Sequence, residues 1–573
     1  YELDRKIDER GLFQTTKVFF TDKQKAHQQF WNKYERPPKE EYWDYIVGRR
    51  DLLVPQDVRE RKGSFFTPQI WVELSQKYLA DVLGEDWQDE YYVWDCAAGT
   101  GNLLTGLTNK LHIWASTLDK QDVDVMKDRI KNGANLLEDH VFQFDFLNDD
   151  FSKLPKGLQE IINSPEKCKK LIVYINPPYA EATTAKTVSG TGANKAGVAK
   201  GHSITEAYKA KIGNASNEIF ALFMTKVYEK MPYAILAQFS KLKFVQGSNF
   251  AKFRDFFLAK YLGGFVVRAD SFDNVTGDFP IGFTMWDFKQ PEKIGEIECD
   301  VMVNLGTNVG KKKFYGELPQ SINKWIKLYD NGSSEHIAYM GNPSPDFQHN
   351  NQMYLSLEKG IEHFRFWAFT KNNIFKGAIY FAVRQVIPPS WLNDRDQFLF
   401  PQAGWEKDTD FQNDCLACLL FHGQNRISAF SGTNHWIPFT ELEVDSRGKF
   451  DSNFIARFIA GKLKDDASQE LFKSTETTPK KPLVFSPEAQ AVFEAGKALW
   501  SYYHTVIKNI PLTNLQTETL NASLYDIREY FQGRSEKGKM NNRSEDETYN
   551  ALIATLREKL KALAKKIEPK VYE

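Results

Sequence analysis

The chain has little of three things: cysteine, long apolar runs and an excess of charge of one sign. It carries five cysteines in 573 residues, too few for a disulfide framework, so we expect a reducing, cytoplasmic setting. No apolar run approaches the roughly 20 residues that span a bilayer, and the start, Tyr1-Glu2-Leu3-Asp4, does not resemble a signal peptide. We therefore expect no membrane partner. The first residue is Tyr rather than Met, as in a processed or trimmed chain.

The charges of the chain almost cancel. There are 74 Lys and Arg residues against 75 Asp and Glu residues, which gives a formal net charge of −1. Near-zero net charge provides no global attraction to polyanions, so any nucleic-acid surface must be local. Aromatic residues make up 14% and charged residues 26% of the chain, a composition that excludes an extended, disordered polyelectrolyte.

The length predicts several domains, because domains usually have about 100–200 residues. Residues 1–60 are charged and aromatic and predict an N-terminal helical region. Residues 61–290 alternate short apolar strands with amphipathic segments, which predicts an α/β domain with a mostly parallel sheet. Residues 291–480 predict a mixed α+β region, in which the apolar run 378–387 is interpreted as a strand. Residues 481–573 return to helical periodicity and predict a helical C-terminal region.

The α/β region has a regular order of predicted elements. Strands are predicted at 91–95, 112–118, 141–144, 170–175, 234–239 and 264–268. Helices are predicted at 70–83, 122–132 and 218–230. The stretch 180–216 is rich in Gly, Ala, Thr and Lys and is predicted to be a long loop, and long loops inside compact domains are usually functional.

The first motif with a chemical meaning is a strand that runs into a glycine-rich turn. The turn contains Asp95, Ala97, Gly99, Gly101 and Asn102. Glycines allow the backbone to approach a ligand, and an acidic residue at a strand end can bind a cationic or hydroxylated group. An ordinary strand-to-helix turn is nearly as compatible with this pattern.

Two further acidic residues follow the next two predicted strands. Asp119 comes about two dozen residues after the first strand end, where a ribose-binding carboxylate belongs. Asp145 and Phe146 follow the third strand. An acidic residue at each of three successive strand ends is expected for a nucleoside ligand in the crevice of an open α/β sheet. Each of them can equally be a helix N-cap or a turn residue.

The most specific motif follows the fourth predicted strand, which ends in Asn176-Pro177-Pro178-Tyr179. Two prolines fix φ and force a stiff, extended turn, so the backbone carbonyl groups stay available as acceptors. The Asn side chain adds an acceptor and the Tyr ring a flat face. This arrangement suits a planar amino group. A turn that is merely stiffened by proline would not account for the Asn and Tyr on either side.

Two closely spaced cysteines are interpreted as structural residues and not as metal ligands. Cys415 and Cys418 form a Cys-x-x-Cys, but no second pair of ligands completes a zinc tetrahedron. We expect them to be small buried residues in the apolar run 415–421, and the sequence predicts no metal site.

Taken in order, these motifs resemble those of the gamma class of S-adenosylmethionine-dependent adenine-N6 DNA methyltransferases, the Asn-Pro-Pro-Tyr type found in bacterial restriction–modification systems. Phe66-Thr67-Pro68 resembles the leading cofactor motif of the family. The common Asp-Pro of the glycine loop is Asp95-Cys96 here, and 217–220 resembles the helix motif that follows the tetrapeptide. The resemblance covers residues 60–290, under half of the chain, and its specificity comes from the order of the motifs.

The resemblance implies a Rossmann-like methyltransferase sheet, a C-terminal target-recognition region and S-adenosyl-L-methionine as the cofactor. The residues that it implies for cofactor binding are Phe66, Thr67, Pro68, Asp95, Ala97, Gly99, Gly101, Asn102, Asp119, Asp145, Phe146 and Asn176. Those that it implies for catalysis are Asn176, Pro177, Pro178, Tyr179 and Phe279, with Phe283 as an alternative second ring for the target base. Residues 61–290 would form the catalytic domain and 291–480 the target-recognition domain.

We also expect local contacts with double-stranded DNA. The stretch 180–216 carries Lys186, Lys195, Lys200, Lys209 and Lys211 directly after the tetrapeptide, and these lysines are predicted to neutralise phosphates, although a solvated loop is nearly as compatible. The triplet 311–313 is a weaker candidate of the same kind. Asn425-Arg426 and 433–436 are candidates for reading bases in the target-recognition region.

Three functions therefore compete. The first is a site-specific DNA adenine-N6 methyltransferase that acts alone, with a restriction endonuclease or specificity partner, or as the methylation part of a fused restriction enzyme. About 60 residues precede the first cofactor motif, too few for a nuclease domain, so cleavage would need a region outside this sequence or a separate partner. The second is an RNA or protein-glutamine N-methyltransferase, because the tetrapeptide suits any planar amine. The third is a DNA-binding specificity protein without catalysis.

Overall fold

The computed structural model describes the chain in segments that together cover most of residues 67–572. These are 67–179, 203–272, 278–304, 306–316, 322–329, 336–342, 352–359, 365–393, 399–463, 479, 481–511 and 516–572, with Lys25 and Asn32. The predicted N-terminal helical region at 1–60 lies outside the described residues except for these last two positions.

Among the described residues, nine strands form one mixed sheet. Their bounds are β1 Tyr92–Asp95, β2 Ile113–Thr117, β3 Val141–Gln143, β4 Leu171–Ile175, β5 Ile235–Lys241, β6 Lys260–Arg268, β7 Pro280–Asp287, β8 Glu296–Val303 and β9 Thr307–Tyr315. Their order across the sheet is β3-β2-β1-β4-β5-β7-β6-β8-β9. The first five strands are parallel, and β7 is antiparallel to both β5 and β6.

This order confirms the expected fold class, a Rossmann-like α/β sheet. The chain winds from β1 outward through β2 to β3, and then returns to place β4 on the other side of β1. In open α/β sheets, ligands bind beyond the carboxyl ends of the strands at the point where the order reverses. Here that point lies between β1 and β4.

The sheet continues past the predicted domain boundary at residue 290. β8 pairs in parallel with β6, and β9 pairs with β8 in an antiparallel hairpin. The end of β9 at Tyr315 is therefore also the end of the sheet.

Helices of the described residues cover both faces of the sheet. In the first half of the chain they are α1 Gln69–Leu83, α2 Trp87–Glu90, α3 Lys120–Lys131, α4 Lys156–Asn163, α5 Pro165–Cys168, α6 Ser203–Ile212, α7 Ile219–Lys230, α8 Lys243–Gln246 and α9 Ala251–Phe256. Buried residues of α1 and α3 share one hydrophobic core with alternate residues of the strands, and those of α4, α7 and α9 share another. The three helices predicted in this half, now α1, α3 and α7, are confirmed within two residues at each end.

The second half of the chain forms a separate core. Its helices are α10 Ile322–Trp325, α11 Ile374–Val386, α12 Thr409–Phe421, α13 Phe454–Ile459, α14 Pro487–Ile507, α15 Thr517–Leu520, α16 Leu524–Gln532 and α17 Glu547–Ile567. Its strands are β10 Ala338–Asn342, β11 Tyr354–Ser356, β12 Arg365–Phe369, β13 Phe400–Pro401 and β14 Val571–Tyr572. One hydrophobic cluster runs from Ile322 to Val571, so residues on both sides of position 480 share a core. The expected helical C-terminal segment is present.

The interpretation of 378–387 as a strand is wrong. These residues belong to α11, which is buried from Gly377 through Arg384. A helix that is apolar all round shows the same continuous run as a buried strand, and periodicity cannot separate the two.

Cys415 and Cys418 lie buried in α12, as small core residues. Within the described segments, no helix combines the length and the apolarity needed to cross a bilayer.

Gly377 offers a test of how closely α11 packs on β12. A Cβ atom at this position would lie 2.2 Å from Phe369 Cε1 and 2.6 Å from Trp367 Cζ3. Because both rings are held in the core, we expect Gly377→Ala to lower the free energy of unfolding by about 1–3 kcal/mol. Gly423→Ala is the control, since its Cβ would meet only Arg528 Nη1 at 3.5 Å. Equal stability of the two variants in thermal melts would contradict this packing.

Candidate active site at the carboxyl edge of the sheet

The glycine-rich turn and the Asn-Pro-Pro-Tyr turn lie side by side. β1 and β4 are neighbours in parallel register, with Trp94 opposite Val173. Asp95 is the last residue of β1, and Asn176 directly follows the last residue of β4. The structure thus brings both predicted motifs to the edge where the strand order reverses.

The glycine loop has the left-handed backbone for which glycine is suited. Gly99 has φ +53° and Gly101 φ +83°, and a Cβ at Gly99 would have no atom within 4 Å. This leaves open space against the backbone. Arg129 of α3 supports the loop by donating to the Thr100 carbonyl at 2.8 Å and to Asn102 Oδ1 at 3.1 Å. Asn102 was predicted to bind the cofactor, and its side-chain oxygen here accepts from Arg129.

Asp95 is the most perturbed acid of the site. Its side chain is 1% exposed, and Oδ1 accepts a hydrogen bond from the Ala97 N–H at 3.0 Å. Burial raises the pKa of this carboxyl to about 7, against the smaller opposing effect of that hydrogen bond. Among the described residues, no Lys or Arg forms an ion pair with it. A buried carboxylate beside an open glycine loop is suited to a positively charged ligand group.

The other two strand-end acids differ from each other. Asp119 is partly exposed at the start of α3, and no hydrogen bond from its side chain caps that helix. Asp145 instead folds its carboxylate onto its own turn: Oδ1 accepts from the Leu147 and Asn148 N–H groups, and Oδ2 accepts from Asn148 Nδ2. The turn-residue alternative thus describes Asp145 in this structure.

Phe146 lies in the core instead of facing the crevice. It is 2% exposed, and its ring stacks on Phe223 at a centroid distance of 5.0 Å. The neighbouring Lys226 of α7 has its ammonium 5.5 Å from the Phe146 centroid and donates to the Leu147 and Asp149 carbonyl groups. Burial lowers the pKa of Lys226. Lys226 therefore holds the turn after β3 from beneath, a role for which its sequence gives no signal because it sits in an apolar helix.

The side chain of Asn176 is fixed from both ends. Its Nδ2 donates to Thr67 Oγ1 at 2.8 Å, and its Oδ1 accepts from the Tyr179 hydroxyl at 2.6 Å. Thr67 and Tyr179 are both about 5% exposed. Burial keeps the pKa of Tyr179 well above its usual value, so the phenol stays protonated and remains a donor. Pro177 is buried and Pro178 half-buried between these anchors.

Thr67 belongs to the leading motif, so three separate sequence motifs meet at this amide. Pro68, which follows Thr67, precedes α1 as its N-cap residue, and its carbonyl accepts from the N–H groups of Trp71 and Val72. Phe66 lies outside the described residues.

Lys241, at the end of β5, joins the Asn-Pro-Pro-Tyr turn to Phe279. Its ammonium donates to the Tyr179 carbonyl at 3.2 Å and lies 5.7 Å from the centroid of the Phe279 ring. Phe279 is half-buried, whereas Phe283 is fully buried in the core, which leaves Phe279 as the ring near the site. The sequence analysis did not identify Lys241, although its position as a polar residue at the end of the next parallel strand is a signal that could have been used.

The predicted DNA-contacting lysines are described only in part. Lys186, Lys195 and Lys200 lie outside the described residues. Lys209 and Lys211 lie on α6, within the stretch predicted as a loop, so that prediction is wrong for 203–212. Both are exposed, Lys209 at 3.9 Å from Glu206 and Lys211 paired with Glu229. The nearest carboxylates therefore already offset part of their charge.

Three of the residues considered for base recognition are structural. Asn425 and Asn434 are buried and donate to the backbone carbonyls of Leu419 and Asn521, respectively. Trp436 is also buried.

Lys311 and Lys313 pair across the β8–β9 hairpin with Glu298 and Glu296. Within the described segments, no group of three or more His, Cys, Asp or Glu side chains is placed to hold a metal ion.

The raised pKa of Asp95 predicts how the stability of the ligand-free protein depends on pH. An acid whose folded-state pKa lies above its unfolded value near 3.8 favours folding below that value and loses this contribution as pH rises through about 7. We expect Asp95→Asn to match the wild type in thermal stability near pH 4 and to exceed it at pH 8. The exposed Glu85→Gln is the control. A constant difference across this pH range would contradict the assignment.

Comparisons with known proteins gave structural neighbours only. No family model matches the chain, and no curated protein matches its sequence significantly. The DrdV–DNA complex is similar with 15% identity and a TM-score of 0.34, over 45% of this chain and 30% of that one. The type I restriction–modification methyltransferase subunit from Streptococcus thermophilus has 13% identity and a TM-score of 0.30, over 48% of this chain and 54% of that one. The type IIL restriction–modification enzyme MmeI in complex with DNA has 12% identity and a TM-score of 0.29, over 92% of this chain and 75% of that one. The chain thus spans about a third to a half of the length of the first two. The function proposed below rests on the geometry of the site itself.

Proposed function

We propose that this chain is a DNA adenine-N6 methyltransferase that uses S-adenosyl-L-methionine, of the kind that serves restriction–modification systems. The observation that carries the proposal is the Asn176 amide, anchored by Thr67 and Tyr179 one strand away from the buried Asp95. An acceptor for an amine and an acid for a cation thus lie on adjacent strand ends.

The residues at the end of β1 fit such a cofactor. S-adenosylmethionine supplies a methyl group on a positively charged sulfonium, together with an ammonium and a ribose. Asp95 is buried without a cationic partner among the described residues, and the space beside Gly99 is open. Asp119 at the end of β2 is half-exposed and within the same edge. We assign the ammonium side to Asp95 and the ribose to Asp119, with Gly99 and Gly101 lining the approach.

The amine of adenine is a poor nucleophile, because its lone pair is delocalised into the ring. Acceptors on both of its hydrogens favour a pyramidal nitrogen and stabilise the positive charge that develops as the methyl group arrives. We assign these roles to Asn176 Oδ1 and the Pro177 carbonyl. The bond from Asn176 Nδ2 to Thr67 Oγ1 fixes which end of the amide faces the substrate.

The Tyr179 hydroxyl occupies one acceptor position on Asn176 Oδ1, and a carbonyl oxygen has two. We infer that the target amine uses the second position, or that the phenol turns away as the base enters. A base inside a duplex cannot reach this edge, so it must be flipped out at a cost of a few kcal/mol. Stacking on Tyr179 and Phe279 offsets that cost by about 1–3 kcal/mol per ring.

Lys241 is placed to assist this entry. Its ammonium contacts both the Tyr179 carbonyl and the face of Phe279, so it links the Asn-Pro-Pro-Tyr turn to that ring. It also brings a positive charge to an edge where a nucleotide phosphate would follow its flipped base. We assign recognition of the target sequence to the region after Tyr315 and leave the division at 291–480 as a proposal.

The decisive test is methyl transfer itself. Incubation of the chain with radiolabelled S-adenosylmethionine and duplex DNA should place the label on adenine N6. Asn176→Ala should lower kcat by at least about 100-fold, because it removes a transition-state acceptor. Glu85→Gln, exposed and remote from the edge, should keep full activity.

Label found only in RNA or on protein glutamine would refute the DNA assignment in favour of that alternative. Absence of transfer to any of the three substrates would favour a DNA-binding specificity protein.

Tyr179 allows its ring and its hydroxyl to be separated. Tyr179→Phe keeps the stacking face but removes the bond to Asn176 Oδ1, so we expect kcat to change by less than about tenfold. Tyr179→Ala also removes the ring, and we expect base flipping and kcat to fall much further. Fluorescence of 2-aminopurine at the target position measures flipping independently of transfer. Equal losses in the two variants would show that the hydroxyl, not the ring, is essential.

A further inference from the structure

The C-terminal core contains a pocket of about 510 Å³ that lies apart from the nine-stranded sheet. It is formed by the loop that follows α12, by α16, by the turn after α16 and by Arg557 of α17. Its charged lining residues are Arg426, Arg528, Arg534, Lys539 and Arg557. Among the described lining residues there is no Asp or Glu. We call it the C-terminal basic pocket.

One of these five charges is already compensated. Arg534 is bound to Glu529 through two nitrogens, and it also donates to the Gly538 carbonyl and to the Tyr525 hydroxyl. Among the described residues, none of the other four side chains forms an ion pair. Arg426 donates to Gln424 Oε1 and lies over the Tyr354 ring at 4.9 Å. Within the described segments, neither the Arg557 guanidinium nor the Lys539 ammonium has a hydrogen bond or an ion pair.

Arg528 shows that these charges act on one another. It is half-buried, donates through Nη1 to the Gly423 carbonyl at 2.9 Å, and its Nε is buried without a hydrogen-bond partner. Burial lowers its pKa, and the like charges of Arg557 and Arg426 act in the same direction, whereas Tyr549 and Tyr525 oppose this lowering. Converging guanidinium groups repel, and in a half-buried position this repulsion is only weakly screened. An anion in the pocket would remove it.

We propose that the C-terminal basic pocket binds phosphate groups. Guanidinium groups present forked donors that match phosphate oxygens, and a lysine adds a mobile charge. The pocket is far larger than one phosphate needs and opens to solvent beside exposed amides such as Asn542, so the phosphate can belong to a longer molecule. The phosphodiester backbone of DNA and the phosphate of a free nucleotide share this chemistry.

This inference rests on the proposed function and adds to it a contact outside the catalytic edge. The pocket is lined by Gly423, Gln424 and Arg426 of the predicted target-recognition region and by residues of the helical C-terminal region. Where the phosphate belongs to DNA, the pocket holds the duplex without reading its sequence, since phosphate contacts fix position and base contacts give specificity. It also supplies a local basic surface in a chain whose total charge is −1.

The test compares two full-length double variants that remove the same charge. Lys539→Gln/Arg557→Gln removes the two lining cations whose side chains have no hydrogen bond among the described residues, and it leaves Arg528, which supports the Gly423 loop, in place. Lys561→Gln/Lys565→Gln is the control, because both lysines are exposed on α17 and neither lines the pocket. Binding of a labelled duplex is measured by fluorescence polarisation at several salt concentrations, and binding of AMP and inorganic phosphate by calorimetry.

If the pocket holds DNA, the pocket variant should bind the duplex about tenfold more weakly at low salt, and the slope of log K against log salt should fall by about 2. The control variant should change neither by as much. If the pocket holds a free nucleotide, AMP or phosphate binding should disappear in the pocket variant alone while duplex binding is retained. Both results support the proposal. Identical behaviour of the two variants in all three assays would overturn it.

Methyl transfer by the same preparations separates this inference from the proposed function. If the chain methylates DNA and both variants bind DNA, AMP and phosphate equally well, the proposed function would be supported and the phosphate-pocket proposal refuted. If the wild-type chain transfers no methyl group but the pocket variant alone loses phosphate binding, the proposed function would be refuted and the phosphate pocket would be supported.

Discussion

The parallel pairing of β1 with β4 is the constraint on which the candidate site depends. Backbone hydrogen bonds fix the register at Trp94 and Val173, and both strands are fully covered by helices. Because the two strands run in the same direction, Asp95 and Asn176 leave the sheet at one edge although 80 positions of sequence separate them. Neither residue needs a long loop to reach the other. The parallel pairing therefore places both candidate residues at the same edge of the sheet.

Two ionisable side chains near that edge, Asp95 and Lys226, are buried, where the charged form is destabilised by loss of hydration. Asp95 is fully buried without a cationic partner among the described residues, and Lys226 is buried beneath the neighbouring turn with carbonyl groups as its acceptors. The two groups solve the problem in different ways. Lys226 has its hydrogen bonds within the protein and acts as a support, whereas Asp95 has a single backbone donor. A buried ionisable group that the protein itself does not compensate is a common mark of a ligand site.

Much of this arrangement could be predicted from the sequence. Alternating strands and helices, a glycine turn and a proline-stiffened turn are local patterns, and the predicted strand and helix positions in 61–290 agree with the structure. What could not be predicted depends on three-dimensional neighbours. The stacking of Phe146 on Phe223 and the contacts of Lys226 with the turn after β3 depend on packing between separate elements, which no local pattern reveals. The helix α11 was missed because it is buried from Gly377 through Arg384, and its largely apolar run resembles that of a buried strand.

The near-neutral net charge of the chain is reflected in local ion pairs at its surface. Exposed lysines of the sheet domain, such as Lys211 and Lys311, are paired with neighbouring glutamates, so they contribute little unpaired charge. Among the described residues, Arg557 and Lys539 in the C-terminal core belong to the cations whose side chains form no ion pair. Since exposed ion pairs are individually weak, pairing at the surface adds little stability and mainly removes long-range attraction. A chain built in this way would bind a polyanion through defined positions and not through its overall field.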